Sequence, residues 1–268
     1  MNPFGSIKDR TAWFMLKDLE LRDDQALVEP SAGNTGIALA ALANAQGTPI
    51  EIAVPEGVPE SKKAQLRFLG AEVIEVEDEL CPIYPSEGAR GVVRSMVESE
   101  AFDGKYVSPN QYESALNVAA HYHTTGPEIW RQTEGRVRAF VAGFGTCGTI
   151  TGVGRFLKEQ DPTIKVVAVE PQTGHRLPGL KSFGEAKQPG ILDWSVIDDV
   201  VRVDDDPAYT MTKRLWREEG LMVGPSTGAV VVAAQQYGLD SADIAVGVSP
   251  DSGFKYGSFF SEILGRQE

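Results

Sequence analysis

The chain has few residues of the kinds that build metal and disulfide sites. Its 268 residues include only two cysteines, Cys81 and Cys147, and three histidines. The cysteines are far apart and show neither zinc-ligand spacing nor a disulfide framework, so we expect a reducing cytoplasmic environment and no metal. His121 and His123 are two positions apart in a predicted helix and face different sides, which indicates structural or surface roles.

The chain also lacks an excess of positive charge and any long apolar run. Lys and Arg number 25 against 38 Asp and Glu, a formal net charge of −13, which argues against nucleic acid and anionic membranes as partners. No apolar run reaches the length of a membrane span. Pro3, Gly5 and Lys8 interrupt any apolar segment of a secretory leader, so we expect none.

Apolar β-branched runs instead alternate with helical patterns along the whole chain. This alternation predicts an α/β architecture, doubly wound, with mainly parallel sheets and helices on both faces. The segment 172–195 is rich in Gly and Pro and lacks periodicity, which is typical of a functional or mobile loop. The predicted strands are 26–29, 50–54, 73–76, 137–142, 166–169, 200–203 and 244–248. The predicted helices are 7–21, 35–46, 59–69, 87–100, 114–133, 149–159, 208–219, 227–237 and 258–264.

A division into two lobes near residue 120 follows from this order of elements. We expect an N-terminal lobe over residues 1–119 and a C-terminal lobe over residues 120–268. Ligands of such folds bind at the carboxyl ends of the strands, often between lobes.

Two glycine-containing turns lie between a predicted strand and a predicted helix. Residues 29–36 (EPSAGNTG) offer backbone N–H groups that suit a carboxylate, although ordinary turn and capping chemistry explains them about equally well. Residues 143–149 (GFGTCGT) spell G-x-G-x-x-G, and Glu170 follows in the place of a ribose-binding acid. That turn suits a monophosphate as well as a dinucleotide, and Glu170 could simply end its strand.

Two further turns have simple structural explanations. Residues 224–229 (GPSTGA) open a predicted helix, where Ser226 is a natural N-cap. Residues 250–253 (PDSG) follow the last predicted strand, and turn chemistry alone accounts for them.

Lys8 lies in the first turn of the first predicted helix, with Ser6 as its expected N-cap. A helix N-terminus carries partial positive charge, which lowers the proton affinity of a lysine there. A nucleophilic amine must be uncharged, so this position suits covalent chemistry. A solvated surface lysine is the simpler alternative for Lys8 taken alone.

One cofactor accounts for these features together. Pyridoxal phosphate needs an amine for its aldehyde, an anion cradle for its phosphate, and partners for O3′ and the ring nitrogen. It also leaves room for a substrate carboxylate. NAD would use only residues 143–149 and would leave the other motifs without a purpose.

With these motifs in order, the chain resembles the cysteine synthase / cystathionine β-synthase family of fold-type-II pyridoxal-phosphate enzymes. The nearest likeness is to the second bacterial type of cysteine synthase, which includes enzymes that use O-phosphoserine. The resemblance implies a two-lobed, tryptophan synthase β-like fold. The matching stretches are NPFGSIKDR, PSAGNTG, NQYES, HYHTTGPEIW, GFGTCGTITGVGRFLKE, VAVEP, GPSTGA and PDSGFKY.

The resemblance assigns expected roles to single residues. Lys8 is similar to the Schiff-base lysine, Asn34 to the partner of O3′, and Ser226 to the serine facing the pyridine nitrogen. The expected phosphate loop consists of Gly145, Thr146, Cys147, Gly148 and Thr149. The expected binding site for the substrate carboxylate consists of Ser31, Gly33, Thr35 and Gln111.

The implied reaction is β-replacement on an activated serine. Lys8 removes the α-proton, the β-leaving group departs, a sulfur nucleophile adds at Cβ, and Lys8 returns the proton to give cysteine. The sulfur comes from sulfide or a sulfur-carrier protein, and the family is typically homodimeric. The alternatives are cystathionine synthesis, serine or threonine dehydration, and a catalytically impaired regulatory homologue.

Four features depart from the family pattern. Ala32 replaces a serine of the substrate loop, and Cys147 replaces a glycine of the phosphate loop. The N–H of Cys147 serves the phosphate if its φ is negative, and a thiolate there is the less favoured interpretation. Lys181 lies near an arginine of phosphoserine-using relatives, so we expect it either to bind a leaving phosphate or to be a solvated loop lysine. Family members carry more residues before the lysine, which predicts a shortened enzyme, a misassigned start or altered assembly.

Overall fold

Two sheets of four parallel strands each form the centre of the protein, and the computed structural model describes residues 2–77, 88–238, 243–257 and 261. The strand order is β3-β2-β1-β4 in the first sheet and β7-β6-β5-β8 in the second. The strands are β1 (Ala26–Pro30), β2 (Ile50–Pro55), β3 (Glu72–Val76), β4 (Tyr106–Val107), β5 (Val137–Gly143), β6 (Lys165–Pro171), β7 (Asp199–Val203) and β8 (Ile244–Gly247).

Nine α-helices lie within the described ranges. They are α1 (Lys8–Leu16), α2 (Asn34–Ala45), α3 (Glu60–Phe68), α4 (Gly88–Glu98), α5 (Ala115–Ala120), α6 (Gly126–Gln132), α7 (Gly148–Gln160), α8 (Asp205–Glu218) and α9 (Pro225–Gln236). A π-helical turn, His121–Thr125, joins α5 to α6. Short 3₁₀ turns lie at Glu100–Phe102, Trp194–Val196 and Gly253–Tyr256.

Helices cover both faces of each sheet, as predicted. In β1, Leu27 packs in a core with α1, α2 and α3, whereas its neighbour Val28 packs in another core with α4. In β5, Val141 packs with α8 and α9, whereas Phe140 packs with α7. Alternate residues of a strand point to opposite faces, so a run that is apolar at every position is buried on both.

Most of the predicted elements are confirmed with shifted ends. The first helix ends at Leu16 rather than residue 21, and the short strand β4 was not predicted. The single helix predicted over 114–133 is interrupted by the π-helical turn. Segment 172–195 is irregular up to its closing 3₁₀ turn, as expected.

Most of the predicted helix 258–264 lies outside the described residues, and Cys81 lies wholly outside them. The strands of each sheet fall on one side of residue 120, and the division into lobes 1–119 and 120–268 stays a prediction. None of the described helices is long and apolar enough to cross a membrane.

Candidate active site

Two adjoining cavities lie where the strands of both sheets end. The first contains about 630 Å³ of space and the second about 1070 Å³. They meet at a shared border formed by Lys8, Asn34, Gly145, Thr146, Gly179 and Leu180.

The predicted site residues divide between these cavities according to their expected roles. The first cavity is lined by the expected cofactor residues Lys8, Asn34, Gly145, Thr146, Cys147, Thr149 and Ser226. The second is lined by the expected substrate residues Ser31, Gly33, Thr35, Gln111 and Lys181. Gly148 is absent from both linings, and its predicted contact with phosphate stays a prediction.

The segment before Lys8 is held against the loop that follows β8. The Ile7 amide donates to the Pro250 carbonyl at 2.7 Å, and the Ser252 amide donates to the Gly5 carbonyl at 3.1 Å. These bonds flank an antiparallel bridge between Ser6 and Asp251. Lys8 is therefore fixed by a small two-stranded clamp.

The helix cap differs by one residue from the prediction. The N-cap of α1 is Ile7, and Ser6 lies one position before it. The Ser6 hydroxyl nevertheless accepts a hydrogen bond from the Lys8 amide at 3.3 Å, so it satisfies one of the free amides of the first turn.

The Lys8 amine is less basic than that of an ordinary lysine. Its Nζ donates to the Thr146 hydroxyl at 3.2 Å across the border of the cavities. Burial lowers the pKa of Lys8 to about 8, while the charge of Asp251 opposes part of the shift. An amine with this pKa can act as a nucleophile and as a base.

Asn117 connects the two cavities and was missed by sequence reasoning. Its fully buried amide donates to the Thr146 hydroxyl at 3.0 Å and to the Gln111 carbonyl at 2.8 Å. Its Oδ1 accepts from Thr11 at 3.1 Å. A Cβ added at Gly148 would lie 2.1 Å from this Oδ1, so glycine is required there for Asn117 to enter.

The glycine-rich loop between β5 and α7 contains one strained residue. Cys147 is the N-cap of α7 with φ +67°, a left-handed conformation that a glycine adopts at no steric cost. The condition that its φ is negative is therefore wrong. The thiol is buried and its pKa is raised by burial to about 12, which makes a thiolate role wrong as well.

Ser226 faces the first cavity instead of capping a helix. The N-cap of α9 is Gly224, and Ser226 lies in the first turn with 3% of its surface exposed. The capping alternative is therefore wrong.

A buried carboxylate, Asp251, supports Asn34 at the first cavity. The Asn34 amide donates to Asp251 Oδ2 at 2.7 Å, and the Tyr256 hydroxyl donates to the same oxygen. Asp251 Oδ1 is buried and has no partner among the described residues. The PDSG turn therefore contributes a polar group to the site, and its place in a matching stretch of the sequence could have indicated this.

The second cavity is lined by a turn rich in hydrogen-bonding groups and by the cations Arg90 and Lys181. Ser31 Oγ accepts from the Gly36 amide at 2.9 Å, and the Thr35 hydroxyl donates to Gln111 Oε1 at 2.6 Å. Lys181 Nζ lies 5.5 Å from the centroid of the Tyr112 ring. Arg90, which was not predicted, lies over the same ring at 4.0 Å and also lines the cavity.

The two histidines take the structural and surface roles that were expected. His121 is fully buried among Thr11, Thr125 and Thr149 at 3.0–3.2 Å, and burial lowers its pKa well below the ordinary value. His123 is exposed. No group of three or more metal-ligating side chains occurs in the described ranges.

The residues of the first cavity fit pyridoxal phosphate. An amine of lowered pKa, the amides at the start of the 13-residue helix α7 and the Ser226 hydroxyl supply groups for an aldehyde, a phosphate and a ring nitrogen. A Cβ added at Gly145 would lie 2.8 Å from the Gly179 carbonyl, so only glycine lets the loop pack this closely.

Comparisons with known proteins agree with this fit. Cysteine synthase B of Salmonella typhimurium is 38% identical over 260 residues, covering 95% of this chain and 83% of that protein. Cysteine synthase of Aquifex aeolicus is 37% identical over 95% of this chain and 79% of its own.

Solved structures show the same similarity. O-ureido-L-serine synthase matches with a TM-score of 0.85 at 32% identity, over 95% of this chain and 83% of its own. O-acetyl serine sulfhydrylase isoform 3 of Entamoeba histolytica also gives 0.85, at 28% identity, over 96% of this chain and 79% of its own. The family model described as "Pyridoxal-phosphate dependent enzyme" matches residues 1–249, and the chain belongs to this family.

Proposed function

We propose that the chain is a cysteine synthase that performs pyridoxal-phosphate-dependent β-replacement on an activated serine. In the net reaction the Cβ–O bond breaks with loss of acetate or phosphate, a Cβ–S bond forms, and L-cysteine results. The observation that carries the proposal is the position of Lys8. Lys8 lies where the cavity lined by the expected cofactor residues meets the cavity lined by the expected substrate residues.

Lys8 is the residue that moves the proton in this proposal. Bound pyridoxal phosphate supplies the electron sink that makes the α-proton of an amino acid acidic. With a pKa of about 8, Lys8 is neutral in a larger fraction of molecules at any given pH than an ordinary lysine, and its neutral form can take that proton. The Thr146 hydroxyl, 3.2 Å from Nζ, keeps the amine at the border of the cavities.

Ser226 and the turn 31–35 set the kind of reaction. A neutral hydroxyl beside the ring nitrogen cannot keep that nitrogen protonated as a carboxylate would, which favours rapid loss of a β-leaving group. The amides and hydroxyls of Ser31, Gly33 and Thr35, with Gln111 opposite, would orient the substrate carboxylate.

Lys181 is proposed to contact the leaving group. It lines the second cavity and its amide donates to the Phe144 carbonyl at 2.8 Å, which ties segment 172–195 to the end of β5. A cation there suits a phosphate leaving group, so O-phosphoserine stands beside O-acetylserine as substrate. We also propose a cytoplasmic homodimer that takes sulfur from sulfide or from a carrier protein.

The test is cysteine production by the purified protein loaded with pyridoxal phosphate. O-acetylserine and O-phosphoserine are each supplied with sulfide, and cysteine and pyruvate are measured. We expect cysteine as the main product and loss of at least about a thousandfold in kcat for Lys8→Ala. Pyruvate as the main product would indicate elimination instead, and no turnover of either substrate would indicate a regulatory homologue.

Lys181→Ala in the same assay tests the leaving group. We expect kcat/KM for O-phosphoserine to fall about tenfold or more while that for O-acetylserine changes less than about threefold. Lys187→Ala, a substitution in the same segment outside both cavities, is the matched control. Equal losses for both substrates contradict the role of Lys181.

A further inference from the structure

A buried carboxylate that the proposed reaction does not use lies just behind the second cavity. Glu29 is the fourth residue of β1 and its surface is 0% exposed. A charged group in the interior is costly unless hydrogen bonds compensate it. Its partners therefore indicate what it does.

Among the described residues, the hydrogen-bond partners of Glu29 come from one loop. Its Oε2 accepts from the Ser108 hydroxyl at 3.1 Å and from the Asn110 amide at 2.9 Å. Its Oε1 accepts from the Gln111 amide at 3.2 Å, and the Gln111 side chain is a further partner. One carboxyl group thus receives its donors from the segment 108–111.

That loop turns at Asn110, whose φ of +48° lies in the left-handed region that asparagine tolerates better than most residues. Asn110 and the next residue, Gln111, both donate their backbone amides to Glu29. The carboxylate therefore stabilises the turn that directs Gln111 inward.

Gln111 connects the loop 108–111 to the site by two hydrogen bonds. Its side chain accepts from Thr35 at 2.6 Å in the second cavity, and its carbonyl accepts from Asn117 at 2.8 Å. Asn117 in turn donates to Thr146, which accepts from Lys8. A shift of Gln111 would therefore be felt first at the proposed carboxylate site.

We propose that Glu29 is a positioning residue that holds the loop 108–111 so that Gln111 and Thr35 bind the carboxylate of the amino-acid substrate. This inference rests on the proposed function. Glu29 itself touches neither cavity, so its effect is on substrate affinity and not on the proton transfer at Lys8.

The experiment compares Glu29→Gln with the wild-type holoenzyme. Glutamine keeps the size of the side chain, but its NH₂ group would face a backbone N–H donor of the loop. The hydrogen bond at that position is lost, and the contact between the two donors becomes repulsive. We expect KM for O-acetylserine to rise about tenfold, with kcat within about threefold. Calorimetric titration with L-alanine, which has the same carboxylate and no leaving group, should show a similar loss of affinity.

Two further variants separate positioning from general damage. In a Gln111→Ala background, Glu29→Gln should add less than about twofold to KM, because both changes act through the same side chain. Asp198→Asn is the matched control. Its carboxylate also accepts a backbone amide, that of Val166 at 2.8 Å, but lies outside both cavities, so KM should stay within about twofold.

Each outcome bears on the inference. An unchanged KM and an unchanged affinity for alanine in folded Glu29→Gln overturn it, as does full additivity with Gln111→Ala. If Glu29→Gln does not fold, Glu29→Asp, which withdraws the carboxyl group by one methylene, must show the same split between KM and kcat. A wild type that binds alanine but converts neither O-acetylserine nor O-phosphoserine would contradict the proposed function alone.

Discussion

At the scale of single residues, the proposed site contains a lysine whose pKa burial lowers and a cysteine in a left-handed conformation. The lysine could be found from the sequence, because the motif around Lys8 and the helix start are both local features. The φ of Cys147 could not, since it is set by the packing of the whole loop between β5 and α7.

The lowered pKa of Lys8 predicts how the cofactor-free protein takes up pyridoxal phosphate as pH changes. Only the neutral amine attacks an aldehyde, and an ordinary lysine becomes neutral above about pH 10. Because Lys8 has a pKa of about 8, the rate of cofactor uptake should rise with pH and level off just above pH 8. Absorbance measures the rate, and Nα-acetyl-lysine is the control, whose rate should keep rising through pH 10. A protein rate that follows the control would contradict the shift.

The conformation of Cys147 predicts an unusual order of stability between two variants. Cys147→Gly and Cys147→Ala both remove the thiol, but only alanine keeps the penalty of the left-handed region. The glycine variant should therefore be more stable by about 1 kcal/mol in denaturant unfolding. Alanine as the more stable of the two would show that the residue has a negative φ.

At the scale of elements, the site is held by contacts between segments far apart in sequence. The clamp of residues 5–7 on 250–252 fixes the start of α1. Asn117 in α5 joins the loop that contains Gln111 to the loop that contains Thr146. Sequence patterns predict where elements lie, but not which side chain fills the space over a glycine such as Gly148. Asn117 lies between two recognisable motifs, and no sequence pattern at its own position indicates a role in the site.

The role of Asn117 predicts a large cost for its removal. Asn117→Ala would leave the Gln111 carbonyl and the Thr11 hydroxyl buried without this partner, which should lower the free energy of unfolding by about 2–3 kcal/mol. The control Asn44→Ala, at an exposed position of α2, should change it by less than about 0.5 kcal/mol. Urea unfolding measures both changes. Equal losses of stability in Asn117→Ala and Asn44→Ala would show that the hydrogen bonds of Asn117 do not stabilise the site.

At the scale of the whole molecule, alternating apolar runs and helical patterns were sufficient to predict two parallel sheets covered by helices. Strands buried on both faces, such as β5 and β6, give a continuous apolar signal. The strand β4 has only two residues, which is too short for an apolar pattern to indicate it, and it forms by pairing with β1. The π-helical turn within 114–133 was missed because its sequence continues a helical pattern while the fully buried His121 packs among three threonine hydroxyls.

The site at this scale could be predicted as a set of residues but not as two cavities. Ser31, Thr35 and Gln111 lie in loops and a helix that follow strands of the first sheet, whereas Thr146 and Ser226 lie at or near the starts of helices beside the second. Only the folded chain shows that Lys8 lies between them. Arg90, which lines the second cavity, and Glu29, which lies behind it, contact residues far along the chain, and a linear pattern does not carry such contacts.

The central claim is that Lys8 is the covalent anchor of pyridoxal phosphate, and one measurement tests it most directly. The yellow holoprotein is reduced with borohydride, digested and mapped by mass spectrometry. We predict the reduced cofactor on the peptide that contains Lys8 and on no other, and no labelling in Lys8→Ala. An unmodified Lys8 in a protein that retains bound cofactor, or a label on a different lysine, would contradict the account.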